Sequence, residues 1–129
     1  MWWIFVSDNS NGLLNLYYSE HLSHGWKSHP QNPLIKINAN ISRPSGKVFI
    51  YENKLYRIAQ DAKPVYGESV NAFEITDIST TTYAEKPFLG KPLITKSNKH
   101  RSWYAVGMHH LDLHQIGDNW IGIVDGKQW

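Results

Sequence analysis

Short apolar runs separated by turn-forming residues recur along the whole 129-residue chain, and helical periodicity is scarce. Two such runs cover Trp2–Val6 and Leu13–Ser19, with the turn sequence Asp8–Gly12 between them. Many short runs with polar turns are typical of antiparallel sheets, so the sequence predicts an all-β fold. Because Trp2–Val6 is apolar at every position, we expect both faces of that strand to be buried.

The middle and the end of the chain predict two further groups of strands. Four consecutive strands and one later hairpin are expected at Lys47–Tyr51, Lys54–Gln60, Val70–Ile75, Tyr83–Phe88 and Val106–Gln115 with Trp120–Asp125. The first two strands of the series are joined by Glu52-Asn53, which suits a tight turn. A four-stranded antiparallel sheet that repeats predicts the blades of a β-propeller. The chain holds about one full blade and parts of two others, so we expect a piece of a longer propeller; a β-sandwich is the alternative if 129 residues are the whole protein.

Composition excludes several classes of protein. Hydrophobic residues make up 41% of the chain and the net charge is only +2, which rules out a disordered chain and gives no support for nucleic-acid binding. Cysteine is absent, so disulfides and thiolate chemistry are unavailable. The apolar N-terminal run is too short to span a membrane and has no basic leader, so a cytoplasmic protein without a membrane span is expected. No phosphate-binding loop or serine-hydrolase motif occurs, and no cofactor is predicted.

Several motifs resemble a known family. Trp3-x-Phe5, the run Leu14–Ser19 and Trp26-x-x-His29-Pro30-x-Asn32-Pro33 resemble five-bladed propellers of the furanosidase superfamily, which includes glycosidase families 32 and 43. The motifs that follow are similar to the N-terminal propeller domain of glucosamine inositolphosphorylceramide transferases; they are Ser42–Gly46, Leu55–Asp61, Tyr66-Gly67, Gly107–Asp112 and Val124–Gly126.

The resemblance covers about residues 2–127 and implies a carbohydrate-active propeller. It implies the end of one blade at 1–37, a full blade at 38–97 and the start of the next at 98–129. Carbohydrate or a glycoconjugate is the implied ligand, and the remaining blades or an adjacent domain are the implied partners. Glycosidases of this superfamily use acids spread over the first three blades, so the resemblance implies that some of those acids are absent from this chain.

Charged and amide side chains set into apolar strands are the candidate binding residues. By strand alternation Arg57 and Asp61 share a face, where the guanidinium could hold the carboxylate, while Gln60 lies on the other face. Arg43 offers a second guanidinium, and Tyr66 beside Gly67 is the aromatic residue we expect at a pocket. These residues predict a sugar-binding pocket, or else a hydrogen-bond network that ties blades together. Asp61 is the best candidate for a catalytic acid, although no spacing marks out a second carboxylate among Glu68, Glu74, Glu85 and Asp112.

A histidine-rich strand completes the candidate set. His110, Asp112 and His114 share one face by alternation, which is compatible with metal ligands but is not a recognised metal signature. We therefore predict no metal site and assign His110 to the polar lining of the propeller channel. Two functions remain open at this point: a carbohydrate-active propeller, either glycosidase-like or the sugar-recognition module of a glycosyltransferase, and a non-catalytic structural or interaction module.

Overall fold

The computed structural model describes residues 1–99 and 101–128, which form antiparallel sheets and no helix. The all-β prediction is confirmed. No helix in these two ranges is long or apolar enough to cross a membrane. The strands of the described ranges are β1 Trp2–Ser7, β2 Leu14–Ser19, β3 Lys27–Ser28, β4 Arg43–Pro44, β5 Phe49–Tyr51, β6 Lys54–Asp61, β7 Ser69–Ile78, β8 Tyr83–Pro87, β9 Ile94–Thr95, β10 Leu111–Ile116 and β11 Asn119–Val124.

The central sheet has the order β4-β6-β7-β8, with β5 also paired to β6 and β9 also paired to β7. The predicted series of four antiparallel strands therefore exists. Its first tight turn is at Glu52 and Asn53, both of which have positive φ (47° and 58°), as a two-residue hairpin of primed type requires. Strands β3, β4 and β9 are two residues long and were not predicted, because a two-residue pairing leaves no periodic pattern in the sequence.

The N-terminal sheet has the order β1-β2-β3 and packs only one face of β1 against the rest of the chain. Phe5 on the inner face lies 5.7 Å from the ring of Tyr83 on β8. Trp2, Ile4 and Val6 on the outer face remain 39–50% exposed. The expectation that both faces of this strand are buried is wrong for the described chain, because no described element covers the outer face.

The His-Pro-x-Asn-Pro segment after β3 connects the N-terminal sheet to the central one. His29 is buried; its Nε2 donates to the carbonyl of Ser79 in the turn between β7 and β8 (3.0 Å), and its Nδ1 accepts from the amide of Gln31 (3.2 Å). The Asn32 side chain pairs with both backbone groups of Leu16, at 2.8 and 2.7 Å. This motif therefore satisfies buried polar groups where the two sheets meet.

The hairpin β10–β11 closes the other side of the central sheet. The core cluster joins Leu111 of β10 to side chains of β5, β6 and β7, namely Phe49, Tyr56, Ile58 and Val70. The amide of Leu111 donates to the carbonyl of Ser45 (2.8 Å), and the buried Ser45 hydroxyl donates to the carbonyl of His109 (2.5 Å). A Cβ on Gly46 would lie 2.0 Å from the carbonyl oxygen of Leu111, so only glycine allows this approach of two backbones.

Candidate functional site

Arg57 is buried, and each of the three nitrogens of its guanidinium donates a hydrogen bond within the protein. Its side chain is 1% exposed and forms a two-point contact with Glu85 on β8, Nε to Oε2 at 2.7 Å and Nη2 to Oε1 at 2.6 Å. Its Nη1 donates to the carbonyl of Ile41 (2.9 Å), and its guanidinium lies over the ring of Phe73 at 4.8 Å. Tyr83 donates its hydroxyl to the same carboxylate at 2.5 Å. These contacts satisfy the charge of Arg57 within the protein, which favours a structural role.

The predicted pairing of Arg57 with Asp61 is wrong. Four residues along a strand span roughly 13 Å, which is farther than the two side chains can bridge. The carboxylate of Asp61 instead accepts hydrogen bonds from Asn40 Nδ2 (2.7 Å) and from the amide of Lys63 (3.0 Å). Asp61 therefore stabilises the turn that leaves β6.

Burial and the adjacent charge of Glu85 raise the pKa of the Tyr83 hydroxyl above its usual value of about 10. Below pH ~10 the hydroxyl is protonated in both the folded and unfolded states, so its contribution to stability is fully present. Above that pH the unfolded state releases the proton first, and stability falls by up to about 1.4 kcal/mol per pH unit. We therefore expect the free energy of unfolding to fall more steeply from pH 9 to 11 in the unsubstituted chain than in Tyr83→Phe. Urea titrations at each pH, with Tyr17→Phe as control, measure this difference; parallel curves for the unsubstituted chain and Tyr83→Phe would contradict it.

Five polar and aromatic side chains form a continuous line on the surface. Arg43 Nη1 donates to Asn11 Oδ1 (2.5 Å), and the Arg43 guanidinium lies 5.4 Å from the centre of the Tyr66 ring. The ring of His109 meets Tyr66 edge to face at 5.1 Å, and His109 Nδ1 lies 2.6 Å from Asp125 Oδ2. The line brings together the turn after β1, strand β4, the loop after β6 and the segments flanking the C-terminal hairpin.

The two ends of the line hold its central groups in place. Asn11 belongs to the predicted turn at Asp8, where its amide donates to the carbonyl of Asp8 (3.1 Å) and its φ is 57°. At the other end, Asp125 Oδ1 accepts the amides of His109 (3.2 Å) and His110 (2.9 Å). Because Asp125 engages Nδ1 of His109, the Nε2 nitrogen remains available; it makes no hydrogen bond within residues 1–99 and 101–128.

Gln60 lies on the same face of the central sheet as Arg43. The two residues are partners in the β4–β6 register, and partners across an antiparallel pair project to the same side. Gln60 is 1% exposed, and its Nε2 has no hydrogen-bond partner among the described residues. A buried amide donor without a partner is uncommon. Arg57 and Asp61 project to the opposite face, which explains why the predicted residues do not all converge.

The histidine-rich face of β10 is occupied by a lysine. Lys47 Nζ lies 3.0 and 3.1 Å from the ring nitrogens of His114 and 3.5 Å from Asp112 Oδ1. Burial acts to raise the pKa of Asp112, but the hydrogen bond with His114 and the charge of Lys47 together lower it. His110 is exposed at the start of this hairpin, and only its amide contacts Asp125. No group of three or more metal-ligating side chains occurs in the part of the chain that the structure describes.

The acids proposed as catalytic candidates all have partners. Glu85 binds Arg57, Glu74 lies 3.5 Å from both Lys54 and Lys86, and Glu68 lies 2.6 Å from Lys96. Asp61 and Asp112 are engaged as described above. An aromatic ring that is 47% exposed, flanked by a guanidinium and an imidazole, is suited to binding a polar ring-shaped ligand more than to acid–base chemistry.

Of the sequence-predicted binding residues, the structure brings Arg43 and Tyr66 into direct contact and places Gln60 on the same face as Arg43. It separates Arg57, Asp61 and His110 from this contact. Sequence reasoning missed Asn11, His109 and Asp125 as parts of the site. Asn11 lies in the predicted turn Asp8–Gly12, and Asp125 lies in the motif Val124–Gly126. Nothing in the sequence indicates that these two segments, more than a hundred residues apart, lie on one surface.

Comparison with known proteins identifies the class to which this domain belongs. The family described as "Glucosamine inositolphosphorylceramide transferase 1, N-terminal" matches residues 1–127, and the chain belongs to that family. It is 32% identical over 138 aligned residues to glucosamine inositolphosphorylceramide transferase 1 of Oryza sativa subsp. japonica and to that of Arabidopsis thaliana. Each alignment covers 99% of this chain and 18% of the relative, so the chain spans about a fifth of the relatives' length. No solved structure matches the chain.

Proposed function

We propose that this chain is a carbohydrate-recognition module of a glycosyltransferase-type protein, and that its site is the line from Asn11 to Asp125. The observation that carries the proposal is the half-exposed Tyr66 ring held between Arg43 and His109. Membership of a transferase N-terminal family supports it, since sugars are handled by the proteins that give the family its name.

The geometry suggests how a sugar would bind. The exposed part of Tyr66 offers an apolar surface for the C–H groups of a sugar ring. Arg43 uses Nη1 on Asn11 and has further N–H donors for hydroxyl or phosphate oxygens. His109 Nε2 supplies another polar contact. The unpartnered Nε2 of Gln60 is buried on the face of the sheet that also carries Arg43.

The same proposal includes a propeller framework. We propose that residues 1–37, 38–97 and 98–129 belong to three successive blades of a five-bladed propeller, with carbohydrate and neighbouring blades or domains as partners. Three antiparallel sheets in sequence order support this arrangement. The exposed apolar faces at Trp2, Ile4 and Val6 and at Ile121 and Ile123 support further sheets on either side.

A titration of the ¹⁵N-labelled chain with glucosamine and with myo-inositol 1-phosphate, two probes chosen from the relatives' name, tests the site. We expect shifts in the amides around Tyr66 and His109, and binding about tenfold weaker in Tyr66→Ala because the stacking surface is lost. Trp2→Ala removes an equally exposed aromatic side chain from another sheet and should leave binding unchanged. The melting temperature of Tyr66→Ala should stay within a few degrees, since the ring is half-exposed. Equal loss in both variants, or no shifts around Tyr66 with either probe, would contradict the proposal.

A non-catalytic structural or interaction module is the second candidate function. The buried network of Arg57, Glu85 and Tyr83 favours it, because the guanidinium of Arg57, a predicted binding residue, pairs with a carboxylate of the protein itself. On this alternative the Asn11–Asp125 line contacts a neighbouring domain, and neither probe binds.

A further inference from the structure

The N-terminal sheet carries a cavity of about 390 Å³, remote in sequence from most of the Asn11–Asp125 line. Its walls come from Met1, the end of β2, the following loop, β3 and Thr80 of the turn between β7 and β8. The polar side chains among them include Tyr18, Glu20, His21 and Lys27. Tyr18 and Lys27 are partners in the β2–β3 register, so their side chains lie next to each other on one face of the sheet. The cavity therefore combines a carboxylate, an ammonium, an imidazole and a phenol.

The two opposite charges of this cavity do not neutralise each other. Neither Glu20 nor Lys27 forms an ion pair within 4.0 Å with any residue that the structure describes. By contrast, Glu68, Glu74, Glu85 and Asp112 each form an ion pair with a lysine or an arginine. Opposite charges that line one cavity without contact can each bind the complementary group of one dipolar ligand.

The loop that carries these groups is fixed by its own hydrogen bonds. The Ser19 hydroxyl is 3% exposed; it donates to the carbonyl of His24 (2.6 Å) and accepts the amide of His21 (3.0 Å). The rings of His21 and His24 stack at 4.6 Å, and Trp26 Nε1 donates to the carbonyl of Leu22 (3.2 Å). The cavity wall is therefore ordered before any ligand binds, which lowers the entropic cost of binding.

We propose that this cavity binds a small zwitterion that carries an ammonium group and a phosphate group. Glu20 receives the ammonium, while Lys27 and the imidazole of His21 contact the phosphate. A phosphate offers several acceptor oxygens, so it can accept hydrogen bonds from both of these nitrogen donors. This binding site is independent of the proposed sugar site at Tyr66.

Calorimetric titration with O-phosphoethanolamine, methyl phosphate and ethanolamine tests the proposal on the full chain. We expect O-phosphoethanolamine to bind about fivefold more tightly than methyl phosphate or ethanolamine, each of which carries charge of only one sign. In Glu20→Gln, O-phosphoethanolamine should bind no more tightly than methyl phosphate. In Lys27→Gln, it should bind no more tightly than ethanolamine. Glu52→Gln and Lys91→Gln remove matched exposed charges outside the cavity. Neither should change the ratio of the O-phosphoethanolamine affinity to the affinity of either control probe.

The proposal is overturned if O-phosphoethanolamine does not bind at millimolar concentration, or if neither cavity variant alters the ratios. It is also overturned if Tyr66→Ala abolishes the binding, since the ligand would then occupy the other site. Circular dichroism of each variant establishes that it is folded, which is expected because both substituted side chains are exposed. Failure of sugar binding at Tyr66 leaves these outcomes unaffected, so the two proposals are tested separately.

Discussion

Replacing Arg57 with alanine is expected to lower the free energy of unfolding by about 3–5 kcal/mol, because the substitution leaves the carboxylate of Glu85 largely buried and unpaired. The loss includes the hydrogen bond to Ile41 and the contact with Phe73. Urea denaturation followed by circular dichroism measures the change. Glu85→Ala should have an effect of similar size, since it leaves a guanidinium that is 1% exposed without its partner.

The ion pair between Lys86 and Glu74 supplies a matched control. Its nitrogen and oxygen are 3.5 Å apart, and the lysine side chain is 61% exposed. Lys86→Ala should therefore cost less than about 1 kcal/mol. If Arg57→Ala is no more destabilising than Lys86→Ala, the buried network does not stabilise the fold.

The double replacement Arg57→Met with Glu85→Leu separates the contribution of the two charges to the free energy of unfolding from the contribution of side-chain packing. Exchanging both partners of a buried pair for apolar side chains is often neutral or stabilising, so the double variant should recover most of the loss. Recovery would show that Arg57 stabilises the fold through its pairing with Glu85. The sugar titration at Tyr66 should then be unchanged in the double variant.

The positions of most longer strands could be predicted because apolar runs and turn residues act locally; the exception is β10, which begins at Leu111 and not at the predicted Val106. The hairpin at Glu52-Asn53 illustrates this, since asparagine adopts the positive φ that its turn type needs and strands β5 and β6 pair directly on either side of it. The strand at Trp2–Ser7 was placed correctly, but the burial of its outer face was not. Whether a face is covered depends on which other sheet reaches it, and the strand's own sequence does not contain that information.

The partners of charged side chains could not be predicted for a related reason. Alternation correctly placed Arg57 and Asp61 on one face, yet Arg57 pairs with Glu85, which lies 28 residues away and beyond an intervening strand. The guanidinium reaches that carboxylate across Phe73 of β7. Such a contact depends on sheet order and register, which follow from the whole fold. Individual members of the candidate site could thus be proposed from the sequence, while their grouping could not.

Replacing Gly46 with alanine is expected to destabilise the chain by about 3 kcal/mol, through overpacking between two backbones. The added Cβ would lie 2.0 Å from the carbonyl oxygen and 3.0 Å from the carbonyl carbon of Leu111, and neither atom belongs to a side chain that could rotate away. The φ of Gly46 is 159°, a backbone conformation that residues with a Cβ rarely adopt, so conformational strain adds to the steric cost. The two segments must separate, which weakens the hydrogen bond between Ser45 and Leu111.

This separation has a local readout as well as a global one. Leu111 belongs to the core cluster, and its amide should exchange with solvent faster in Gly46→Ala once its hydrogen bond to Ser45 is strained. Gly90→Ala is the matched control, because a Cβ at Gly90 meets nothing within 4 Å and its φ is not positive. Urea denaturation and hydrogen exchange of the two variants should differ clearly. Equal stability and equal protection of Leu111 would mean that the C-terminal hairpin does not depend on the backbone contact at Gly46.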